Sequence, residues 1–588
     1  MDTERFDLSP LAAVLLAVAA LALALRLFAL GYRVFYYDEA WFGYWVLKFL
    51  DTGVWWYRPT MHGPFFVRVN AIVFSLLGVS DATGRLVVAL MGGLFPLSAW
   101  LFRERLRDAA VVALAVILAV NPLLLYYSRF MRKDFPLAAA MLVTLGLVVR
   151  LADTGRTRYL YGAAFSLGVA FGTKESVLLW LVTWLGAGLI VLDYRLVGAR
   201  WRGSSPGALL GDVAARVRHR GREWLPHVVG SGLLCLAVVV YFYAPRGGGR
   251  PNDGVDIGLW MALTGDVASL PAVVGEATIG TFQAAIDHWV HGAKQDHPYL
   301  PYLTDTLKTL RAGAAGVLLL AVLGYAADRY GEGGPRALVE FNFYCGVLAT
   351  VGYPIANFLP VPWSTTHAVV PFAVPAAVGA GVVYRWGWRG GTSARDAVGG
   401  VTGGLGSPGL PRSRLRHATR AGLATGLLVL LLASASATAY QTSYVAPHDS
   451  PVGPTGNEII YYAQPPAELR TGIEAIERAA ASGGPDTDVL YVGRAMAMNE
   501  TKVRLPPETG AWHRRMPLPW YTEAAGADVA SVGRVQAMGA DPPPVVITPP
   551  GKRGIVAQEL GDAYTATHYD LDEAGDRQAV FFVHESIR

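Results

Sequence analysis

Cysteine is nearly absent: two occur in 588 residues, Cys235 and Cys345, both inside apolar runs. A disulfide framework and a cysteine-based metal site are thereby excluded. Charge is scarce too, at 16% of residues where a soluble globular chain carries about 25%. No glycine pattern of the P-loop or dinucleotide type joins a strand to a helix, so no nucleotide site is indicated; Gly399 to Gly406 sits in a basic segment and reads as linker. No internal repeat is present, which argues against solenoids and fibres. Against these absences stand 53% hydrophobic residues and a mean hydropathy of +0.34. So many aliphatic side chains do not stay unfolded in water, and the chain reads as a polytopic membrane protein.

A bilayer core about 30 Å thick needs about 20 apolar residues per helix, and about eleven such runs emerge. They lie near 10 to 31, 84 to 103, 109 to 128, 135 to 152, 159 to 173, 176 to 194, 227 to 244, 312 to 328, 339 to 358, 366 to 385 and 420 to 440. The fifth is short, so 159 to 194 reads either as a hairpin broken at Gly172-Thr173-Lys174-Glu175 or as one kinked helix. Lys and Arg collect on cytoplasmic loops. The basic loops Arg195 to Arg222 (with Arg200, Arg202, Arg216, Arg218, Arg220) and Arg385 to Arg420 (with Arg389, Arg395, Arg412, Arg414, Arg416), and the turn Arg103-Arg105-Arg107, therefore read as cytoplasmic. The N-terminus is then cytoplasmic, and the first span, interrupted by Arg26, reads as an uncleaved anchor.

This gives a membrane domain over 1–440, with outer loops 32–83, 129–134 and 245–311, and a C-terminal extracytoplasmic domain over 441–588. The latter reads as a small α/β unit with a helix over 468 to 481 and strand-like runs at 488 to 492, 545 to 548, 565 to 569 and 579 to 584. It holds 19 acidic against 12 basic residues, so the net charge of +5 hides a basic membrane portion and an acidic outer one. Topology accounts for the basic residues, and nothing points to nucleic acid.

The first outer loop carries an acid pair, Asp38-Glu39, followed by apolar residues Trp41, Phe42, Trp45, Val46 and Phe49 at helical spacing. Such a segment can lie in the membrane interface with its aromatic face among headgroups, holding both carboxylates at lipid-phosphate depth. The alternative is that the acids only cap that helix. The second outer loop holds Arg129, Arg132 and Lys133, spaced to share one face if the third span's last turn continues. Basic residues on the outer side need a reason other than topology, either an anionic ligand or attraction to lipid headgroups. Asp134 either orients this cluster or serves as a second catalytic or metal-binding carboxylate.

The ordered set of acid pair, His62-Gly63-Pro64, Gly84-Arg85-Leu86, Ser128-Arg129 and Asp134-Phe135-Pro136-Leu137 resembles the GT-C superfamily of polyprenyl-phosphate-sugar glycosyltransferases. Within it, the protein O-mannosyltransferase and lipid A aminoarabinose transferase branch is the most similar, and in that branch the archaeal flippase-activity-associated membrane proteins. The resemblance covers residues 10 to 200 well and continues loosely through Val361-Pro362-Trp363 and Pro519-Trp520-Tyr521. It implies a GT-C-like, all-α membrane domain and transfer of a sugar, with inversion, from a polyprenyl (dolichyl) phosphate to a protein or lipid-linked glycan acceptor. Asp38 would be the general base and Glu39 would orient acceptor or sugar. Arg129, Arg132 and Lys133, aided by Arg85, would stabilise the departing phosphate, with His62 and Asp134 at the same site. Many relatives have Lys or a second Pro where this chain has Gly63.

Other residues fit two readings each. Lys174 and Glu175 are a functional pair or a charge pair closing a hairpin. His288, His291 and His297, with Asp287 and Asp296, are metal ligands through the i, i+3 pair His288 and His291 or part of a solvated loop over the substrate. His367 reads as an interfacial polar residue. No motif calls for a cofactor, a divalent metal is left open, and no metal ligand set is assigned. Besides the transferase, a flippase-associated or transporter component and a non-catalytic glycan-assembly scaffold stay open; charges clustered at outer span ends rather than along a path favour the enzyme.

Overall fold

The structure, a computed structural model, describes residues 9–201, 203, 205–247, 257–292, 298–332, 334–356, 359–388, 412–445, 457–460, 464–482, 487–500, 510–572 and 575–588. Arg202, Asp296, His297, Arg389, Arg395 and the Gly399 to Gly406 stretch lie outside the described residues.

The protein is mostly helical. All eleven expected spans fall on helices, and nine helices among the described residues are long and apolar enough to cross a membrane. α1 (Pro10–Leu27) starts at Ser9, whose hydroxyl accepts from the Ala12 N–H, with Pro10 at its first position. α2 (Tyr37–Thr52) is the acid-bearing helix, and α3 (Phe65–Leu77) and α4 (Asp81–Leu94) follow it; α4 continues as a 3₁₀ turn to Phe102. The expected third span is broken into α5 (Asp108–Val120) and α6 (Pro122–Tyr127). Pro122 has no N–H for a continuous helix, and Asn121 recaps the second piece by accepting from Leu124 N–H at 3.2 Å.

α7 (Asp134–Thr154) and α8 (Thr157–Thr173) follow, then α9 (Val177–Trp201) and α10 (Pro206–Tyr243). Of the two readings of 159 to 194, the hairpin holds: α8 stops at Thr173 and Lys174 is extended. The basic segment expected as a loop between 195 and 222 is instead largely helical. Its alanines and arginines are good helix formers, and α10 runs for 38 residues, roughly 57 Å.

Short helices α11 (Leu259–Thr264), α12 (Leu270–Gly275) and α13 (Thr281–Trp289) lead to α14 (Tyr299–Tyr330), α15 (Ala337–Ala356), α16 (Thr366–Trp388) and α17 (Arg412–Tyr440). α16 is the central helix, almost wholly buried among α5, α14, α15 and α17. Its approach to α14 is backbone to backbone: a Cβ on Gly379 would lie 2.0 Å from the Leu320 carbonyl oxygen, and one on Gly324 1.9 Å from that of Pro375. Small residues allow membrane helices this contact, where packing rather than water drives association.

The C-terminal domain is a five-stranded sheet in the order β2-β1-β3-β5-β4, formed by β1 (Val489–Val492), β2 (Val529–Val532), β3 (Val545–Thr548), β4 (Tyr564–Asp570) and β5 (Gln578–His584). β1 runs parallel to β2 and β3, while β5 is antiparallel to β3 and β4. Alternate residues serve two cores: Val489 and Tyr491 join the large core that also holds Ile473 and Ile476 of α18 (Leu469–Ala481), and Leu490 and Val492 pack with Val556 and Leu560 of α21 (Arg553–Leu560). Between β1 and β2 lie α19 (Gly510–Arg515) and α20 (Leu518–Ala524).

This domain covers α2. The aromatic face expected among headgroups packs against protein instead: Trp41 and Tyr44 meet Trp512 edge-on at 6.5 and 5.4 Å, and Phe35 stacks on Trp520 at 4.9 Å. Buried Asp81 at the start of α4 accepts from Trp520 Nε1–H at 3.1 Å, Tyr521 O–H at 3.0 Å and Arg470 at 2.6 Å. Lys48 of α2 pairs with Glu523 at 2.6 Å.

Candidate active site

Asp38 and Glu39 open α2 on successive positions, about 100° apart around the helix, so the two carboxylates diverge. Glu39 turns inward and is fully buried with Arg85, which donates through Nε to Oε1 at 2.8 Å and through Nη2 to Oε2 at 2.7 Å. Arg85 also donates to the carbonyls of Leu30, Arg33 and Val34, and Glu39 accepts from the Met131 N–H at 2.8 Å. The pair ties α2, α4 and both outer loops together. Neither Glu39 nor Arg85 lines the cavity onto which Asp38 opens.

Asp38 turns outward onto a cavity of about 350 Å³. Its Oδ2 contacts the Arg132 guanidinium and the Tyr36 hydroxyl, and Arg132 also contacts Tyr36. Burial would lower the Arg132 pKa, but Tyr36, Asp38 and Asp134 outweigh it and hold the guanidinium charged. Arg132 lies over the Trp363 ring at 3.3 Å and has Asp134 Oδ2 at 3.6 Å. Buried Asp134 accepts from Lys174 Nζ at 2.8 Å and from His367 Nε2–H at 3.2 Å. Trp180 Nε1–H donates to His367 Nδ1 at 2.9 Å, and this fixes the proton on Nε2. Asp134 thus positions Arg132 and Lys174 without itself lining the cavity.

The basic cluster does not share a helix face. α6 ends at Tyr127 and α7 begins at Asp134; a helix through both fails because Pro136 has no N–H for the Arg132 carbonyl. Arg129 turns away from the cavity and donates to the carbonyls of Leu25, Arg26, Phe28 and Ala29 at 2.8, 3.0, 2.8 and 3.4 Å. It thereby caps the C-terminus of α1, where a cation is favoured. Lys133 is buried, donating to the Met61 carbonyl and lying 3.8 Å from the Phe42 ring centre. Burial, with Lys174 and Arg132 close by, pushes its pKa down to about 7.

Across the cavity stand His62, Lys174 and Glu175. Lys174 and Glu175 do not pair with each other to close a hairpin. Lys174 serves Asp134, while Glu175 holds His62 Nδ1 at 2.9 Å and the Tyr57 hydroxyl at 2.6 Å. Their setting between apolar runs was the signal that sequence reasoning undervalued. His367, expected at an interface, is fully buried. His288 and His291 do not converge on a metal site. His291 Nδ1 lies 3.2 Å from exposed Asp287, and no group of three or more His, Cys, Asp and Glu able to hold a metal occurs among the described residues.

Asp38, Arg132, His62, Lys174 and Glu175 give the cavity its charged lining, and most of the remaining wall is apolar, with Leu178, Leu179, Phe282 and Ile286. That division suits an amphiphile with an anionic, hydroxylated head and a hydrocarbon tail.

A model of dolichyl-phosphate-mannose-protein mannosyltransferases matches residues 61–203. A model described as the Agl23 flippase-associated protein C-terminal domain matches residues 469–584. A comparison with curated proteins gave no match. Among solved structures, ArnT from Cupriavidus metallidurans bound to undecaprenyl phosphate superposes with a TM-score of 0.54 at 15% identity, over 98% of this chain and 99% of that one. Its apo form gives 0.55 at 14% identity over the same shares. The oligosaccharyltransferase AglB from Archaeoglobus fulgidus gives 0.48 at 14% identity, over 98% of this chain and 74% of that one. With its multi-pass helical core, a mannosyltransferase-type segment and an Agl23-type C-terminal domain, the chain shares the fold of ArnT and is similar, over those two segments, to membrane glycosyltransferases of the GT-C type.

Proposed function

We propose that the protein transfers a sugar from a polyprenyl (dolichyl) phosphate to a hydroxyl of a protein or lipid-linked glycan, on the extracytoplasmic side of the membrane. The observation that carries this reading is that one outward carboxylate, Asp38, paired with Arg132, lines a largely apolar cavity together with a second cation, Lys174. The acceptor oxygen attacks the anomeric carbon, and its proton passes to the Asp38 carboxylate. The bond from that carbon to the phosphate oxygen breaks, and its electron pair leaves with the polyprenyl phosphate. Arg132 and Lys174 stabilise the negative charge that gathers there. Glu39 and Arg85 act at a distance by fixing the start of α2, and Asp134 by holding both cations.

Mass spectrometry of surface glycoproteins and lipid-linked glycans, from cells carrying wild-type or Asp38→Asn protein at matched membrane levels, tests the reading. Loss of one defined sugar with accumulation of its phosphate-linked donor is expected; identical profiles would remove Asp38 as the base. A second reading rests on the C-terminal match: a flippase-associated component that handles lipid-linked sugars without transferring them. Identical profiles together with a phenotype on complete deletion would favour it.

A further inference from the structure

His62 is held in an uncommon way. Its backbone sits at φ 55°, in the left-handed region that side chains rarely adopt, and such strain persists only where the surroundings enforce it. The enforcement is visible at Gly63, where a Cβ would lie 2.3 Å from the Gly172 carbonyl oxygen and 2.6 Å from Thr173. The loop is pressed onto the junction of α8 and α9, beside Glu175. The absence of a side chain at position 63 thus brings His62 to the Glu175 carboxylate.

The ring is then fixed on two sides. Trp289 of α13 stacks on it at 5.0 Å and 9°, and Nδ1 lies 2.9 Å from Glu175 Oε2. The other Glu175 oxygen is taken by the Tyr57 hydroxyl at 2.6 Å. Burial raises the Glu175 pKa, but His62 and the hydrogen bonds from His62 and Tyr57 outweigh it and hold the carboxylate ionised. Burial, then Lys174, lower the His62 pKa, so the ring is neutral near pH 7. An ionised carboxylate at Nδ1 places the single ring proton there. Nε2 is left as a lone-pair acceptor, and it has no partner among the described residues.

We propose that His62 is a sugar-reading residue: its Nε2, presented by the Glu175 brace on the cavity wall, accepts a hydrogen bond from a hydroxyl of the glycosyl group on the lipid phosphate. This rests on the proposed function and narrows it. Lys174, adjacent in sequence to Glu175, and Arg132 supply donors for the phosphate. An acceptor nitrogen next to that cationic wall suits a hydroxyl on the ring attached to the phosphate, and does not suit the phosphate itself, which has no proton to offer. His62 is thereby moved from the phosphate to the sugar, and Glu175 and Tyr57 become positioning residues.

The test measures binding of two probes to the purified full-length protein: dolichyl phosphate, and dolichyl phosphate mannose with its singly deoxygenated analogues. His62→Ala is expected to weaken the mannosyl lipid roughly 5-fold or more while leaving dolichyl phosphate unchanged. One deoxy analogue should bind wild type as weakly as His62→Ala, with no further loss when the two are combined. His62→Gln, which retains an acceptor, should recover part of the preference. Below the ordinary histidine range the wild-type preference should fall as Nε2 is protonated, and the His62→Gln preference should stay flat. The groups facing His62 are Glu175, Tyr57, Lys174, Lys133 and Trp289. Equal loss for both probes would make His62 a phosphate contact or a structural residue and overturn the proposal; equal binding of every deoxy analogue would also overturn it. Failure of wild type to bind either lipid would instead overturn the proposed function.

Discussion

Glu39 offers a sharp separation between chemistry and architecture. Its side chain and that of Arg85 are both 0% exposed, and two hydrogen bonds of 2.8 and 2.7 Å join them. Glu39→Gln removes the negative partner and leaves the Arg85 guanidinium uncompensated in the protein interior. Breaking a buried pair from one side costs about 3–5 kcal/mol, whereas replacing both partners by apolar groups is often neutral. Three carbonyls remain on Arg85, from Leu30, Arg33 and Val34, so the lower part of that range applies here. The assay is a double-mutant cycle on detergent-solubilised protein, reading the thermal midpoint of wild type, Glu39→Gln, Arg85→Met and the combination. Each single variant should lose stability, and the combination should lose less than the sum. Glu39→Gln at full stability with abolished transfer would refute the reasoning and return Glu39 to the reaction.

Two more outcomes follow from the same geometry. Asp81→Asn removes the charge that gathers Arg470, Trp520 and Tyr521, at about 1–3 kcal/mol, so limited proteolysis should release the C-terminal domain faster; an unchanged rate would show that the apolar contacts alone hold the domain. Lys133 has a folded pKa of about 7 against 10.5 ordinarily, so between those values the unfolded chain binds more protons and stability should rise with pH. In Lys133→Met that rise should flatten in thermal melts taken across the interval, and an unaltered slope would assign it elsewhere.

The spans were legible because a helix in lipid must be apolar along its length, whatever its neighbours do. Even so, Asn121-Pro122 broke one expected span and the alanine- and arginine-rich stretch after Asp193 extended two others as helix. The acid pair was visible as a pair, but the division of labour within it was not. Which carboxylate turns inward depends on Arg85, 46 positions away, and on a loop that presents the Met131 N–H. The basic cluster misled through its spacing, since i, i+3 and i+4 share a face only on a continuous helix, and Pro136 ends that continuity. His62 and Glu175 lie 113 positions apart, and nothing local to either announces the other. β2, four residues with only half-buried side chains, gave no apolar run to notice.

The most direct measurement is transfer by purified protein in liposomes supplied with radiolabelled dolichyl phosphate mannose and a membrane extract depleted of this protein as acceptor source. Wild type should move label to acceptor and release dolichyl phosphate. Asp38→Asn should bind the donor lipid as wild type does and release none. Undiminished release by Asp38→Asn would contradict the assignment of Asp38, and with it the claim that this cavity is where the sugar is transferred.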